Sequence, residues 1–145
     1  MAKYFLKLLG PEKRGYIVAS SSGAASLDAP GVSAYGQGKL LNAQLVRYIA
    51  IENPNVIAVA LHPGLILTDM VESPSAFKRF CLDTPELAGG ITVWLANEQA
   101  SFLNGRYVSS NWFIDEVVAR KDEILANDEL KFRMAGSFQQ AELAH

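Results

Sequence analysis

Apolar residues fall along this chain in blocks whose period changes from helical to continuous and back. Residues 2–9 read as a short helix, stopped by Gly10-Pro11. Tyr16 to Ser20 is an unbroken, largely apolar run with β-branched members, which predicts a strand buried on both faces of a parallel sheet. Ser21 to Ala34 is rich in small residues and reads as a loop. It leads into a helix from about Val32 to Glu52, with Leu41, Leu45, Tyr48 and Ile49 at helical spacing on the inward stripe. Asn53-Pro54-Asn55 ends that helix, and Val56 to Leu61 is a second buried strand. Pro63-Gly64 breaks it. Leu65 to Asp83 then predicts a long loop with a short helical stretch near Phe77-Lys78-Arg79. Thr84-Pro85-Glu86 combines a capping hydroxyl, a first-turn proline and an early acid. It opens a helix running to about Asn97, with Leu87, Ile91, Trp94 and Leu95 inward. Arg106 to Ser109 is a third strand, and Glu116 to Asn127 one amphipathic helix with Val117, Lys121, Ile124 and Leu125 on its stripe. The tail from Asp128 is polar and is expected to be less ordered.

The order αβαβαβα predicts an α/β fold: a three-stranded parallel sheet flanked by helices, in one domain over residues 1–145. Composition agrees, since 50% of residues are hydrophobic and 19% charged, as in a soluble globular protein. A net charge of -2 gives no reason to invoke nucleic acid or an anionic membrane. Lys13-Arg14 and Lys78-Arg79 are isolated pairs, read as solvated loop charges. Cys81 is the single cysteine, so no intrachain disulfide is possible, and a reducing, cytoplasmic setting is expected. No apolar run reaches a membrane span, and the first residues carry no signal-peptide core.

Chemistry concentrates at Tyr35-Gly36-Gln37-Gly38-Lys39. A tyrosine four residues before a lysine on a helix puts phenol and ammonium on one face. An adjacent ammonium favours phenolate, which brings a side chain that ionises near pH 10 towards usable acid–base chemistry. Such pairs also meet on many exposed helices without consequence. His62 reads as a strand-end residue, and neither it nor His145 belongs to a cluster with metal-ligand spacing, so no metal is expected. Trp94 is assigned to the core. Trp112 and Phe113 are open between packing and lining a pocket.

In order along the chain, these segments resemble the short-chain dehydrogenase/reductase family. Gly15-Tyr16-Ile17-Val18 followed by Ser20-Ser21-Ser22 resembles its serine strand, and Ser22 precedes Tyr35 by the usual thirteen residues. Pro30-Gly31 and Ala34-Tyr35 match the approach to its active-site helix. Tyr35-Gly36-Gln37-Gly38-Lys39-Leu40 is close to the Tyr-Gly-Gln-Ser-Lys-Leu form of retinol-dehydrogenase-like members, with Gly38 in place of serine. Pro63-Gly64-Leu65-Ile66-Leu67-Thr68 matches the Pro-Gly-x-Val-x-Thr motif. Gly105-Arg106-Tyr107-Val108 to Asp115-Glu116 resembles the end of many fungal members, and a role in secondary metabolism is the corresponding expectation. The resemblance implies Ser22, Tyr35 and Lys39 as catalytic residues. It implies Tyr35, Lys39, Pro63, Gly64, Ile66 and Thr68 as contacts to the nicotinamide end of NAD(P), if that cofactor binds.

The resemblance covers only the second half of the family fold. No Gly-x-x-x-Gly-x-Gly or Gly-x-Gly-x-x-Gly occurs, so the turn that lets a backbone approach the cofactor pyrophosphate is absent from this sequence. The Asn-Asn-Ala-Gly strand is absent too. The predicted fold is therefore a truncated Rossmann-like one whose first strand has a bare edge, an aggregation liability. A second copy of the chain, or a full-length relative, is expected to cover it. Three functions are compatible with these residues. The favoured one is cofactor-independent Tyr/Lys/Ser acid–base chemistry on a small carbonyl or hydroxyl compound: isomerisation, dehydration or cyclisation. The others are an NAD(P)-dependent oxidoreductase completed by another chain, and a non-catalytic interaction module. Val71, Phe77 and Phe80 in the long loop point to an apolar or aromatic ligand.

Overall fold

The computed structural model of the protein describes residues 1–69 and 76–134. Val71, the Phe77 side chain and the tail with His145 lie outside the described residues. Three strands form one sheet: β1 (Gly15–Ser20), β2 (Val56–His62) and β3 (Tyr107–Ser109), all parallel and in the order β1-β2-β3. Gly15 pairs with Val56 and Ser20 with Leu61, while His62 pairs with Ser109. Parallel neighbours need crossovers, and helices supply them. Helices α1 (Ala2–Leu9) and α2 (Ser33–Glu52) cover one face of the sheet. Helices α3 (Pro85–Leu95), α4 (Ile114–Ala119) and α5 (Lys121–Ala126) cover the other.

Alternation along β2 explains the two cores. Ile57, Val59 and Leu61 point to one side and pack with Ile91, Leu95, Leu103 and Val108. Val56, Ala58 and Ala60 point to the other and meet Ala43, Val46 and Ile49 of α2. Small residues on both partners let α2 lie close to the sheet. Every residue of β2 from Val56 to Leu61 is buried, as its continuous apolar run predicts.

The edge strands depart from that pattern. β1 is not buried on both faces: Tyr16 to Ala19 are half-buried and Ser20 is exposed, because β2 is its only strand neighbour among the described residues. Arg14 is a solvated loop charge, as expected, and it forms a surface ion pair with Glu98 while lying 6.0 Å from the Tyr16 ring centroid. The edge of β3 is covered differently. The Tyr107 N–H donates to the Leu130 carbonyl at 2.8 Å, and Arg47 of α2 donates to the Phe132 carbonyl at 2.8 Å. The buried Arg106 guanidinium donates to Asp128 Oδ1 at 3.1 Å and to the Glu129 carbonyl. Lys131, and then Arg106, hold the Asp128 carboxyl below its usual range. The first residues of the expected loose tail are thus fastened to β3.

Three helices differ from expectation. On α2 the buried positions are Gly36, Ala43, Val46 and Ile49, while Leu41 and Tyr48 are 68% and 62% exposed and Leu45 also faces outward. Close approach to the sheet selects the small-residue stripe over the larger leucines and tyrosine. On α3 the Thr84 hydroxyl caps no backbone N–H; Leu87 is only partly covered, and the helix stops at Leu95. The C-terminal helix is two, α4 and α5, broken at Arg120, with Val117 and Ile124 buried and Leu125 outward.

Gly38 lies inside α2, and a Cβ built there would meet nothing within 4 Å. Glycine costs a helix interior about 1 kcal/mol relative to alanine. Gly38→Ala is therefore expected to stabilise the protein by about 0.5–1 kcal/mol, read as a higher urea midpoint at unchanged slope.

Candidate active site

The C-terminal end of β1 and the first turns of α2 are joined by reciprocal hydrogen bonds. Ser21 continues the ladder, its N–H donating to the Leu61 carbonyl at 2.7 Å. Its buried hydroxyl donates to the Lys39 carbonyl at 2.9 Å. Ser22 caps a 3-10 turn at Gly23–Ala25 by accepting the Ala24 N–H at 3.2 Å. That turn packs directly on α2: a Cβ at Gly36 would come within 2.6 Å of the Ala24 carbonyl oxygen. Glycine after Tyr35 is what permits this approach, and it fixes the path from Ser22 to the helix.

Tyr35 and Lys39 share one helix face, as their spacing predicts. The Lys39 ammonium is 5.5 Å from the Tyr35 ring centroid, within cation–π range. The same ammonium donates to Ser20 Oγ at 3.2 Å and to the Ser20 carbonyl at 3.3 Å. Tyr35 is 41% exposed, so its ring is open to a ligand. The Ser22 hydroxyl uses one acceptor site on the turn and retains its proton for donation. Asn42, which sequence reasoning missed, donates to the Ser20 carbonyl at 2.8 Å. Its place three residues after Lys39 was the available signal.

Pro63, Gly64, Ile66 and Thr68 follow β2 at the same end of the sheet, where open α/β sheets bind ligands. Asp83, also missed, clamps this loop. Its Oδ2 accepts the Leu65 N–H at 2.6 Å, its N–H donates to the Leu65 carbonyl at 3.1 Å, and its Oδ1 accepts from Asn111 Nδ2 at 2.7 Å. Gly64 has φ +92°, and a Cβ there would be 2.6 Å from Asp83 Oδ2, so the clamp requires glycine twice over. His62 joins the two groups: its Nε2 is 3.7 Å from where a Gly23 Cβ would stand. Burial holds the His62 imidazole below its ordinary value, against the opposing charge of Asp83.

Trp112 and Phe113 line a separate cavity of about 200 Å³ with Val117, Arg120, Ile124 and Leu130, and none of Ser22, Tyr35 or Lys39 reaches it. Beside Tyr35, a shallow cleft of about 400 Å³ runs between α2 and the loop after Ser22, lined by Ala24, Leu27, Pro30, Val32, Gly36 and Leu40. Among the described residues no three His, Cys, Asp or Glu side chains could hold a metal ion. No helix there is long and apolar enough to cross a membrane.

As a cofactor site the arrangement fits one end only. Tyr35, Lys39, Ile66 and Thr68 all lie towards the C-terminal end of the parallel strands, the end at which such sheets bind ligands. No glycine-rich turn feeding a helix N-terminus occurs among the described elements to take a pyrophosphate.

No family model matches the chain. It is 42% identical over 132 residues to the short chain dehydrogenase mpl6 of Monascus purpureus and, equally, to citE of Monascus ruber, with 89% of this chain and 44% of each relative covered. It is 32% identical to the short chain dehydrogenase andI of Emericella variicolor, over 90% of this chain and 46% of that protein. The chain thus spans just under half the length of the curated relatives it matches. Among solved structures, the KRED1-Pglu enzyme aligns with a TM-score of 0.54 and 32% identity, covering 64% of this chain and 46% of that one. Acetoin dehydrogenase YohF from Salmonella typhimurium aligns at 0.53 and 21% identity, a likeness of fold.

The lowered His62 value gives stability a pH dependence. Unfolded, the imidazole takes its proton near 6.5; folded, it does so only at lower pH. Between those values the unfolded chain holds the extra proton. Stability is thus fully present above about pH 6.5, declines as pH falls through it, and levels off below the folded value. Urea midpoints measured from about pH 7.5 to 5 should fall, and His62→Gln should flatten that part of the curve. An equal slope in the variant would assign the decline to other groups.

Proposed function

Because the chain is related to the short-chain dehydrogenases/reductases and matches their C-terminal half, we propose that Ser22, Tyr35 and Lys39 form an acid–base site for a small carbonyl or hydroxyl compound. The observation that carries this is the meeting of β1 and α2. Ser22 caps the turn that follows β1, and Tyr35 and Lys39 lie in the first two turns of α2, with the Lys39 ammonium 5.5 Å from the Tyr35 ring centroid. Tyr35 gives its phenolic proton to a carbonyl oxygen or takes one from a hydroxyl. Ser22 donates a hydrogen bond to that same oxygen. Lys39 supplies positive charge beside the phenol. Proton transfer of this kind suffices for isomerisation, dehydration or cyclisation, and it is all that these residues perform by themselves. The cleft between α2 and the loop after Ser22 is lined by apolar Leu27, Val32 and Leu40 and by polar Asp28, Ser33 and Gln37, and it favours a substrate body of mixed polarity.

A second reading is favoured by the names of the relatives: an NAD(P)-dependent oxidoreductase, with the phosphate-binding turn supplied by further polypeptide. The cofactor would then exchange hydride with the same carbon whose oxygen Tyr35 serves. Calorimetric titration with NADPH bears on the choice. Micromolar binding supports the second reading, whereas absence of binding to the chain alone is expected of both. Tyr35→Phe is the test common to both. Exchange of solvent deuterium into the carbon next to the carbonyl of a cyclic ketone probe should fall by about a hundredfold in the variant, the scale of one positioned proton donor. An unchanged exchange rate would remove Tyr35 from the chemistry.

Pairing of the chain is the companion proposal. Tyr4 and Leu8 on α1 and Leu41 and Tyr48 on α2 are exposed, and among the described residues β1 has no outer strand. A second copy or a full-length relative would cover these surfaces. Light scattering should give a dimer for the purified chain; a monomer whose Tyr16 and Val18 amides exchange rapidly would count against self-pairing.

A further inference from the structure

We propose that Asn42 is a positioning residue for Lys39: by occupying the Ser20 carbonyl it keeps the Lys39 ammonium over the Tyr35 ring. The proposal rests on the reading of Tyr35 and Lys39 as an acid–base pair. It starts from the peptide between Ser20 and Ser21. The N–H of that peptide donates inward to Leu61, so its carbonyl points the opposite way, off the bare edge of β1. A neighbouring strand would normally supply a donor there. Instead two side chains of α2 do: Asn42 Nδ2 at 2.8 Å and Lys39 Nζ at 3.3 Å.

The two distances are in an unusual order. An ammonium ordinarily makes a shorter and stronger hydrogen bond to an oxygen than a neutral amide does. Here the amide has the short bond, and the ammonium stands beyond the usual N–H···O range. Lys39 cannot adjust by moving its backbone, because the buried Ser21 hydroxyl holds its carbonyl at 2.9 Å. Only the side chain is free to swing. Its ammonium has three protons and three neighbours: Ser20 Oγ at 3.2 Å, the Ser20 carbonyl at 3.3 Å and the face of Tyr35. Without the Asn42 amide, the carbonyl has Lys39 as its one remaining side-chain donor. The ammonium then closes onto the β1 edge and withdraws from the phenol.

Lys39 can be followed without substrate or cofactor, by trace acetylation of the folded chain and mass spectrometry, with Lys3, Lys7 and Lys121 as internal references. An ammonium drawn fully into a hydrogen bond acetylates more slowly. Asn42→Leu should lower the relative reactivity of Lys39 by about threefold, the scale of part of one hydrogen bond. Asn42→Asp, nearly isosteric, should lower it further by ion pairing, and it carries the test if the leucine variant fails to fold. Loosening of the helix would act in the opposite direction and raise reactivity. Unchanged or raised labelling in a variant that unfolds cooperatively in urea overturns the proposal. The labelling is independent of deuterium exchange in Tyr35→Phe, so failure of the Asn42 contact and failure of the acid–base reading are told apart.

Discussion

The hydrogen bond from the buried Ser21 hydroxyl to the Lys39 carbonyl is the contact on which the rest of the site depends. It joins a strand end to the second turn of a helix and spends the acceptor of a mid-helix carbonyl on the sheet. With it in place, three consecutive serines have three different tasks. Ser20 offers its carbonyl and hydroxyl to Lys39, Ser21 fastens α2, and Ser22 shapes the turn that leads back to Tyr35. Gly36 completes the junction by letting the turn touch the helix. A side chain at Gly36 would push apart the two elements whose closeness makes the chemistry.

The sheet treats its two edges unequally. β3 is closed by the chain's own segment after α5, through Leu130 and the buried Arg106. β1 has no such cover, and its last outward carbonyl is served by two helix side chains. This is the edge next to Tyr35 and Lys39, so the least finished part of the fold adjoins the part that carries chemistry.

Much of this was legible in the sequence. The continuous run in β2 announced a central buried strand, and the Tyr35–Lys39 spacing announced a shared face; both follow from local geometry. The burial of β1 was overestimated because an apolar run reports that a strand is suited to the interior, not how many neighbours it has. On α2 only Ile49 of the expected stripe is buried; Ala43 and Val46 pack with it on the sheet, and Gly36 meets the turn after Ser22, a contact that apolar spacing does not reveal. Asn42 and Asp83 were missed for another reason. Their partners are main-chain groups of Ser20 and Leu65: the spacing from Lys39 put Asn42 on the same helix face, but no side-chain pattern shows which backbone atom awaits a donor or acceptor.

The pairing of Arg106 with Asp128 bears on cooperativity. A guanidinium 6% exposed cannot be buried alone, since an uncompensated interior charge costs several kcal/mol. Its Nε donates to the Phe102 carbonyl, while its other acceptors, the Asp128 carboxylate and the Glu129 carbonyl, come from a segment 22 and 23 positions later in the chain. An intermediate with β3 docked and that segment loose would leave the charge without its carboxylate. Docking of the third strand is therefore coupled to closure of the segment over it, and the polar stretch that looked like a loose tail begins with the latch of the sheet.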